Sequence, residues 1–316
     1  IIISEKILQI YWKNSYRNLF YVYGLSLVSV LLYVNHVYTD LIFVFFSLLG
    51  IYLYLKKPER IWYVIMIFGV LYFIRPQAVF YVIAIVIHYL IKYKTGYARK
   101  IMHVLCGVVL FFGCGYVVTY GIETPIIGDI DHSMPVASYV YMAFNEEEFG
   151  FQDGSHDLNR KFSDVVERLQ GYDKETLLKI IGKKLEWTWT EGTYQAQRYA
   201  FGENSDTQDK FEYATPVTGH CLNSGQRWRN ILDSFMRNQY LILFALTIPM
   251  FWKKNRGKYD IFVMLFAANM VFYVFWEIKS RYLLPLYPLM FIASFITMDN
   301  MAQQWKNKGL KGRKND

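Results

Sequence analysis

Apolar residues in this chain gather into eight nearly uncharged runs, at residues 19–34, 41–55, 61–74, 78–91, 101–119, 239–252, 261–276 and 282–298. Most are about 15 to 19 residues long, close to the length at which a helix rising 1.5 Å per residue crosses the hydrocarbon core of a bilayer. The pattern predicts a transmembrane helix for each run. The third and fourth are short, so they are expected to be tilted, re-entrant or longer than the run itself. Between the fifth and sixth runs, from about residue 120 to 238, the chain turns polar. Turn signals punctuate it at Thr124-Pro125, Gly128-Asp129, Asp153-Gly154 and Asn223-Ser224-Gly225. Within this segment Phe162, Val165, Val166 and Leu169 recur at helical spacing and stop at Gly171, a residue suited to a helix C′ position. Asp173 is then placed to cap a second helix carrying Leu177, Leu178, Ile181 and Leu185. These two amphipathic helices read as a hairpin whose apolar faces either pack on each other, the favoured arrangement, or lie on a lipid leaflet.

The expected fold class is therefore an all-α polytopic membrane protein, with about eight transmembrane helices and one large, mainly helical extracytoplasmic loop region. Its parts are a five-helix bundle over residues 1–119, a loop domain over 120–238, a three-helix bundle over 239–298 and a basic tail over 299–316. Composition agrees: of 316 residues 54% are hydrophobic and 19% charged, more apolar side chain than one soluble core needs. No basic region precedes Ile1 to suggest a cleavable signal peptide, and the chain reads as truncated at its N-terminus. Three cysteines, Cys106, Cys114 and Cys221, make no disulfide framework, although a bridge between Cys114 and Cys221 stays open.

Charge orients these helices. If successive runs alternate direction, one set of connections holds nineteen Lys and Arg residues, and the short connections of the other set hold Arg75, Lys279 and Arg281 only. The positive-inside bias then puts both termini in the cytoplasm, in a plasma membrane, and residues 120–238 outside. That outer segment has twelve Lys and Arg against nineteen Asp and Glu, so the net charge of +8 comes from the cytoplasmic edges. Such a distribution suits membrane lipid as a partner and not nucleic acid.

Several polar clusters are candidates for chemistry. Asp129, Asp131 and His132 put two carboxylates and an imidazole within four positions, a set that could hold a divalent metal but is more often a solvated turn. Asp153, His156 and Asp157 form a second such cluster, in which Asp157 suits a helix N-cap equally well. Between the last two apolar runs lies Glu277-Ile278-Lys279-Ser280-Arg281-Tyr282, followed by Pro285 and Pro288. Ionisable groups this close to lipid suit a lipid-borne phosphate or, as the plainer alternative, a short loop with snorkelling side chains. Arg75, in Arg75-Pro76-Gln77, falls at the same expected level, and two cations at one depth suggest an anion site. His36 and Asp40, in the first outer connection, add a candidate acid/base pair.

Three stretches together resemble the middle and C-terminal part of GT-C membrane glycosyltransferases, the superfamily that includes protein mannosyltransferases and enzymes of bacterial cell-surface polysaccharide assembly. They are Val37-Tyr38-Thr39-Asp40 followed by Phe73-Ile74-Arg75-Pro76; His132-Ser133-Met134-Pro135 followed by the segment from Tyr139 to Asp153; and Glu277 with Arg281-Tyr282-Leu283-Leu284-Pro285-Leu286-Tyr287-Pro288. The resemblance implies transfer of a sugar from a polyprenyl-phosphate donor to a glycan or protein acceptor on the outer face, with inversion at the anomeric carbon. It further implies that Arg281 and Arg75, with Lys279, hold the donor phosphate, and that Glu277 orients Arg281 or meets a sugar hydroxyl, supported by Tyr282, His36 and Asp40. In that superfamily the acidic catalytic motif lies in the first outer loop, and this chain is expected to begin downstream of it, which leaves the catalytic residue unknown and an inactive remnant conceivable. No cofactor is implied beyond a possible divalent metal. A flippase or other transporter of lipid-linked sugars, and a polymerase of them, are the alternatives. The large polar segment without matched broken helices weighs against the first. The acidic balance of that segment weighs against the second.

Overall fold

The computed structural model describes residues 1–11, 17–34, 39–93, 96–128, 134–150, 159–196, 227–252 and 260–312, and among them it contains helices and no strand. In chain order the helices are α1 (Ile2–Tyr11), α2 (Arg17–Leu25), α3 (Val28–Val34), α4 (Thr39–Lys56), α5 (Ile61–Ile74), α6 (Ala78–Lys92), α7 (Tyr97–Tyr116), α8 (Thr124–Ile127), α9 (Val136–Ala143), α10 (Phe162–Gln170), α11 (Lys174–Thr190), α12 (Arg227–Thr247), α13 (Asp260–Phe275) and α14 (Tyr287–Gly312). All eight apolar runs are helical. Among the described residues, however, three stretches are long and apolar enough to cross a membrane, Thr39–Lys56, Tyr97–Ile126 and Ser280–Gln303, or four if the bent pair Arg17–Leu25 and Val28–Val34 forms one span. At 14 residues α5 is about 21 Å long, short of the roughly 30 Å hydrocarbon core.

The first apolar run is not one straight helix. It breaks into α2 and α3, bent by 56°, where the Ser26 hydroxyl donates to the Tyr23 carbonyl at 2.7 Å and competes with the helical ladder. The sixth run starts earlier than its apolar residues do, at Arg227, and tightens to a 3₁₀ turn at Ile248–Phe251, where Pro249 has no N–H to continue the helix.

Contacts divide the chain into two compact units. The first comprises Ile1–Lys56, Gly192–Val263 and Leu284–Asp316. Here α1 packs on α4 and α14, and α12 packs on α14. Phe20 sits against Phe291 and Phe295, with ring centroids 4.4 and 5.1 Å away. Glu5 is buried in α1 and gathers three donors: Arg17 Nε at 2.7 Å, Tyr21 OH at 2.5 Å and Gln9 Nε2 at 2.8 Å. A buried carboxylate without such donors would be costly. Gln239 joins three helices, its Nε2 donating to the Ser26 carbonyl at 2.9 Å while its Oε1 accepts from Tyr287 OH at 3.2 Å. In apolar surroundings a side-chain amide acts as a link between helices. Asp40 is fully buried in the first turn of α4, where the helix dipole favours a carboxylate.

The second unit comprises Lys57–Glu191 and Met264–Leu283. Its centre is the pair α5 and α7, which approach closely because glycine stands at the contacts. A Cβ on Gly69 would lie 2.9 Å from Phe111 Cα, and one on Gly107 would lie 2.6 Å from Ile65 Cδ1. Such backbone approach is how helices associate where burial from water offers little drive. The expected helices of the polar segment form with the expected boundaries: α10 stops before Gly171, and Asp173 Oδ1 accepts the Thr176 N–H at 2.7 Å. That bond holds the Asp173 carboxyl below its ordinary range. Gly171 has φ −73°, so this end is right-handed and needs no left-handed glycine. Their packing differs from the hairpin expectation. α10 packs on α9, with Arg168 Nη1 donating to the Tyr141 carbonyl at 2.8 Å and its guanidinium 3.4 Å from the Tyr141 ring centre. On α11 the buried stripe is Ile180, Lys184 and Thr188, while Leu178 of the predicted stripe is exposed.

Gly107→Val should destabilise the protein by about 1–3 kcal/mol, because the added atoms meet Ile65 and the Trp62 backbone. Thermal unfolding in lipid nanodiscs measures this, and an unchanged midpoint would contradict close α5–α7 packing.

Candidate functional site

Two turns of the second unit carry Arg75, Glu277 and Arg281, all buried. The first joins α5 to α6. Proline 76 disfavours helical geometry in the residue before it, and Arg75 is accordingly extended, with φ −153° and ψ 123°, its N–H closing α5 on the Leu71 carbonyl at 2.8 Å. The next turn of chain places Gln77 inside the unit, 2% exposed. The second turn follows α13 and runs into the 3₁₀ segment Ser280–Leu286, which contains Pro285. It carries Glu277, Lys279, Ser280, Arg281 and Tyr282.

The Tyr282 ring is the meeting point. The Arg75 guanidinium carbon lies 5.3 Å from its centroid and that of Arg281 5.5 Å from it. Both distances are within range of a cation–π attraction. The Tyr282 hydroxyl donates to Glu277 Oε1, and the same oxygen accepts Lys279 Nζ at 3.0 Å. The backbone of Tyr282 is held as firmly as its ring. Its carbonyl accepts from Tyr273 OH and, at 3.4 Å, from Gln77 Nε2; Gln77 Nε2 also donates to Asn269 Oδ1 and, at 2.9 Å, to Tyr273 OH. Asn269 Nδ2 in turn donates to the Leu265 carbonyl at 2.7 Å.

Three cations thus stand beside one carboxylate. Arg75 and Arg281 are each 7% exposed and Glu277 1% exposed. Glu277 Oε2 and Ser280 Oγ are buried without a hydrogen-bond partner among the described residues. An open carboxylate oxygen and a hydroxyl can accept from a polyol, and the gathered cationic side chains suit an anion. Beside the Arg75 turn, α5, α6 and α7 enclose a groove of about 350 Å³, lined entirely by apolar and aromatic side chains and Gly115. Phe73 and Val79, which line it, flank Arg75 in the chain.

Of the residues singled out in sequence, Arg75, Glu277, Lys279, Arg281 and Tyr282 come together here. Asp40 belongs to the first unit. His36, the metal candidates Asp129, Asp131 and His132, the cluster Asp153, His156 and Asp157, and Cys221 lie outside the described residues. Among the described residues no group of three or more His, Cys, Asp and Glu side chains could hold a metal, and Cys106 and Cys114 are free thiols.

Three residues join the site that the motif pattern did not mark: Asn269, Tyr273 and Lys184. An asparagine in the middle of an apolar helix was the available signal for the first, with Tyr273 one turn later on the same face. Nothing marked Lys184, which sits in an ordinary-looking helical run Lys183-Lys184-Leu185-Glu186. It is 1% exposed, and burial pushes its ammonium down to about 7.

Compared with protein-family models, curated proteins and solved structures, the chain has no match in any of the three. The geometry of the site is therefore what bears on function.

Gln77 and Asn269 are bonded directly, so Gln77→Leu and Asn269→Leu should be non-additive. Unfolding of the double variant should differ from the sum of the singles by about 0.5–3 kcal/mol. Additivity would contradict the link that holds the Tyr282 backbone.

Proposed function

We propose that the protein is a membrane glycosyltransferase of the GT-C type that takes its sugar from a polyprenyl-phosphate donor and serves cell-surface glycan assembly. The observation that carries this reading is the cation-rich cluster around Tyr282, one of whose arginines, Arg75, lies in the chain between Phe73 and Val79 of an apolar groove. An anion-binding cluster alone would suit any phosphate. Joined to an apolar groove, it suits a phosphate with a hydrocarbon chain attached.

In this reading all eight apolar runs lie within the bilayer, the shorter ones tilted or packed on longer neighbours, and both described ends of the chain are cytoplasmic. The Tyr282 cluster then sits at the outer headgroup level. Arg75 and Arg281, with Lys279, hold the donor phosphate. As the bond between the anomeric carbon and the phosphate oxygen breaks, negative charge grows on the departing polyprenyl phosphate, and fixed cations in a water-poor site stabilise it more than water would. Glu277, its Oε1 engaged by Tyr282 and Lys279, has Oε2 left to accept a sugar hydroxyl. The acceptor is deprotonated by a base that these residues do not supply.

The test is turnover of a radiolabelled sugar–polyprenyl phosphate by the full-length protein in nanodiscs. The wild type should release polyprenyl phosphate, and Arg75→Ala or Arg281→Ala should each lower turnover on the order of 100-fold. Turnover indifferent to both arginines would overturn the proposal. Donor binding without any sugar transfer would point to a carrier of lipid-linked sugars.

A further inference from the structure

A helix ends with carbonyls that have no intrahelical donor, and its last turn carries about half a negative charge. α9 ends at Ala143 and α13 at Phe275. Lys184, reaching in from α11, donates from one Nζ to the Ala143 carbonyl at 2.8 Å and to the Val274 carbonyl at 2.8 Å. One buried ammonium therefore closes two helix ends. No carboxylate lies within ion-pair distance of it among the described residues. The two partial charges stand in for a counter-ion, and the Phe144 ring, 5.0 Å from Nζ, adds a third favourable contact.

Around this lysine the chain is shaped to fit. Gly150 has φ +84°, and a Cβ there would lie 2.6 Å from the Ala143 carbonyl oxygen and 3.0 Å from Lys184 Cδ, so both the conformation and the space require glycine. The Gly150 carbonyl accepts the Ile278 N–H at 2.8 Å. Between the two tied residues, Val274 and Ile278, Trp276 stacks on Tyr139 of α9 with centroids 4.7 Å apart and planes at 11°. The stretch from the last turn of α13 to Ile278 is thus fastened at three points, and Glu277 lies inside it.

We infer that Lys184 is a positioning residue for the anion site: by holding the end of α13 and the Gly150 loop together, it sets where Glu277, Arg281 and Tyr282 stand. This rests on the reading of that cluster as a phosphate site. The role is distinct from binding, since two of the three donors of Lys184 go to backbone carbonyls. A displaced turn would keep every charged group and lose their common geometry around the Tyr282 ring.

The test pairs amide hydrogen exchange with equilibrium binding of farnesyl monophosphate to the full-length protein in nanodiscs. Lys184→Met, which keeps the stem and removes the donors, should speed exchange over residues 276–283 while amides of α5 and α7 stay as in the wild type. It should also weaken farnesyl phosphate by about tenfold. Lys184→Arg, which keeps a cation and several donors, should recover part of both. Unchanged exchange over 276–283 would overturn the inference, and faster exchange with unchanged affinity would reduce Lys184 to a structural fastening. If Lys184→Met does not fold, the wild type decides: binding should slow exchange of the Ile278 amide and acylation of Lys184 by an amine-reactive reagent, and no change in either would count against the inference. Failure of the phosphate reading looks different. Farnesyl phosphate would then bind the wild type no better than the Arg75→Ala and Arg281→Ala variants, whatever Lys184→Met does to exchange.

Discussion

Two arginines share one tyrosine ring, and that arrangement constrains most of the second unit. Guanidinium groups buried among apolar helices are costly unless each polar group finds a partner. Tyr282 supplies a π face to both and a hydroxyl to Glu277, the carboxylate of the cluster. For this to work the ring cannot turn, and its backbone is accordingly fixed by Gln77 and Tyr273, which Asn269 orders from the middle of α13. The α5–α6 turn must present Arg75 at the same place, and Pro76 ensures that by driving Arg75 out of helical geometry. One proline and one buried amide network therefore serve a single cluster of charges.

The cluster gathers three cationic side chains around one carboxylate and one aromatic ring, and this is where structure leads to function. Glu277 engages Lys279 and Tyr282 through one oxygen, and the two guanidiniums stand over the Tyr282 ring beside that pair. In low dielectric gathered cations draw an anion strongly, and an apolar groove lined by Phe73 and Val79, near neighbours of Arg75 in the chain, favours one that carries a hydrocarbon chain. The proposed sugar donor combines these two features in one molecule. Lys184 adds a further level, since the position of the charged turn depends on a cation that closes two helix ends from a third helix.

Hydrophobic periodicity locates the helices of the eight apolar runs but not the shorter α1 and α9, and local chemistry decides where the runs deviate. The run at 61–74 coincides with α5 residue for residue, whereas the first run is interrupted at Ser26 by a side-chain bond that hydropathy cannot register. The sixth run begins later than α12 does because α12 opens with polar residues that hydropathy assigns to the loop. Arg75 and the Glu277–Tyr282 turn stood out because charge next to long apolar runs is costly and needs a cause. Asn269 gave a weaker signal of the same kind. Lys184 gave none, because a lysine in a polar amphipathic helix is expected to face water; only the ends of α9 and α13, brought to it by folding, make it a buried residue. The stripe predicted for α11 is offset for the same reason: Leu177, Ile181 and Leu185 are half-buried and Leu178 exposed, while the fully buried positions are Ile180, Lys184 and Thr188.

The central claim is that the Tyr282 cluster and the α5–α6–α7 groove hold one molecule, phosphate in the first and chain in the second. It is tested most directly by photocrosslinking with a polyprenyl monophosphate that carries a diazirine near its head. The account predicts adducts on peptides containing Phe73, Val79 and Val108, lost in Arg75→Ala and Arg281→Ala. Adducts spread evenly over the lipid-facing helices, or groove adducts that persist without the arginines, would contradict it.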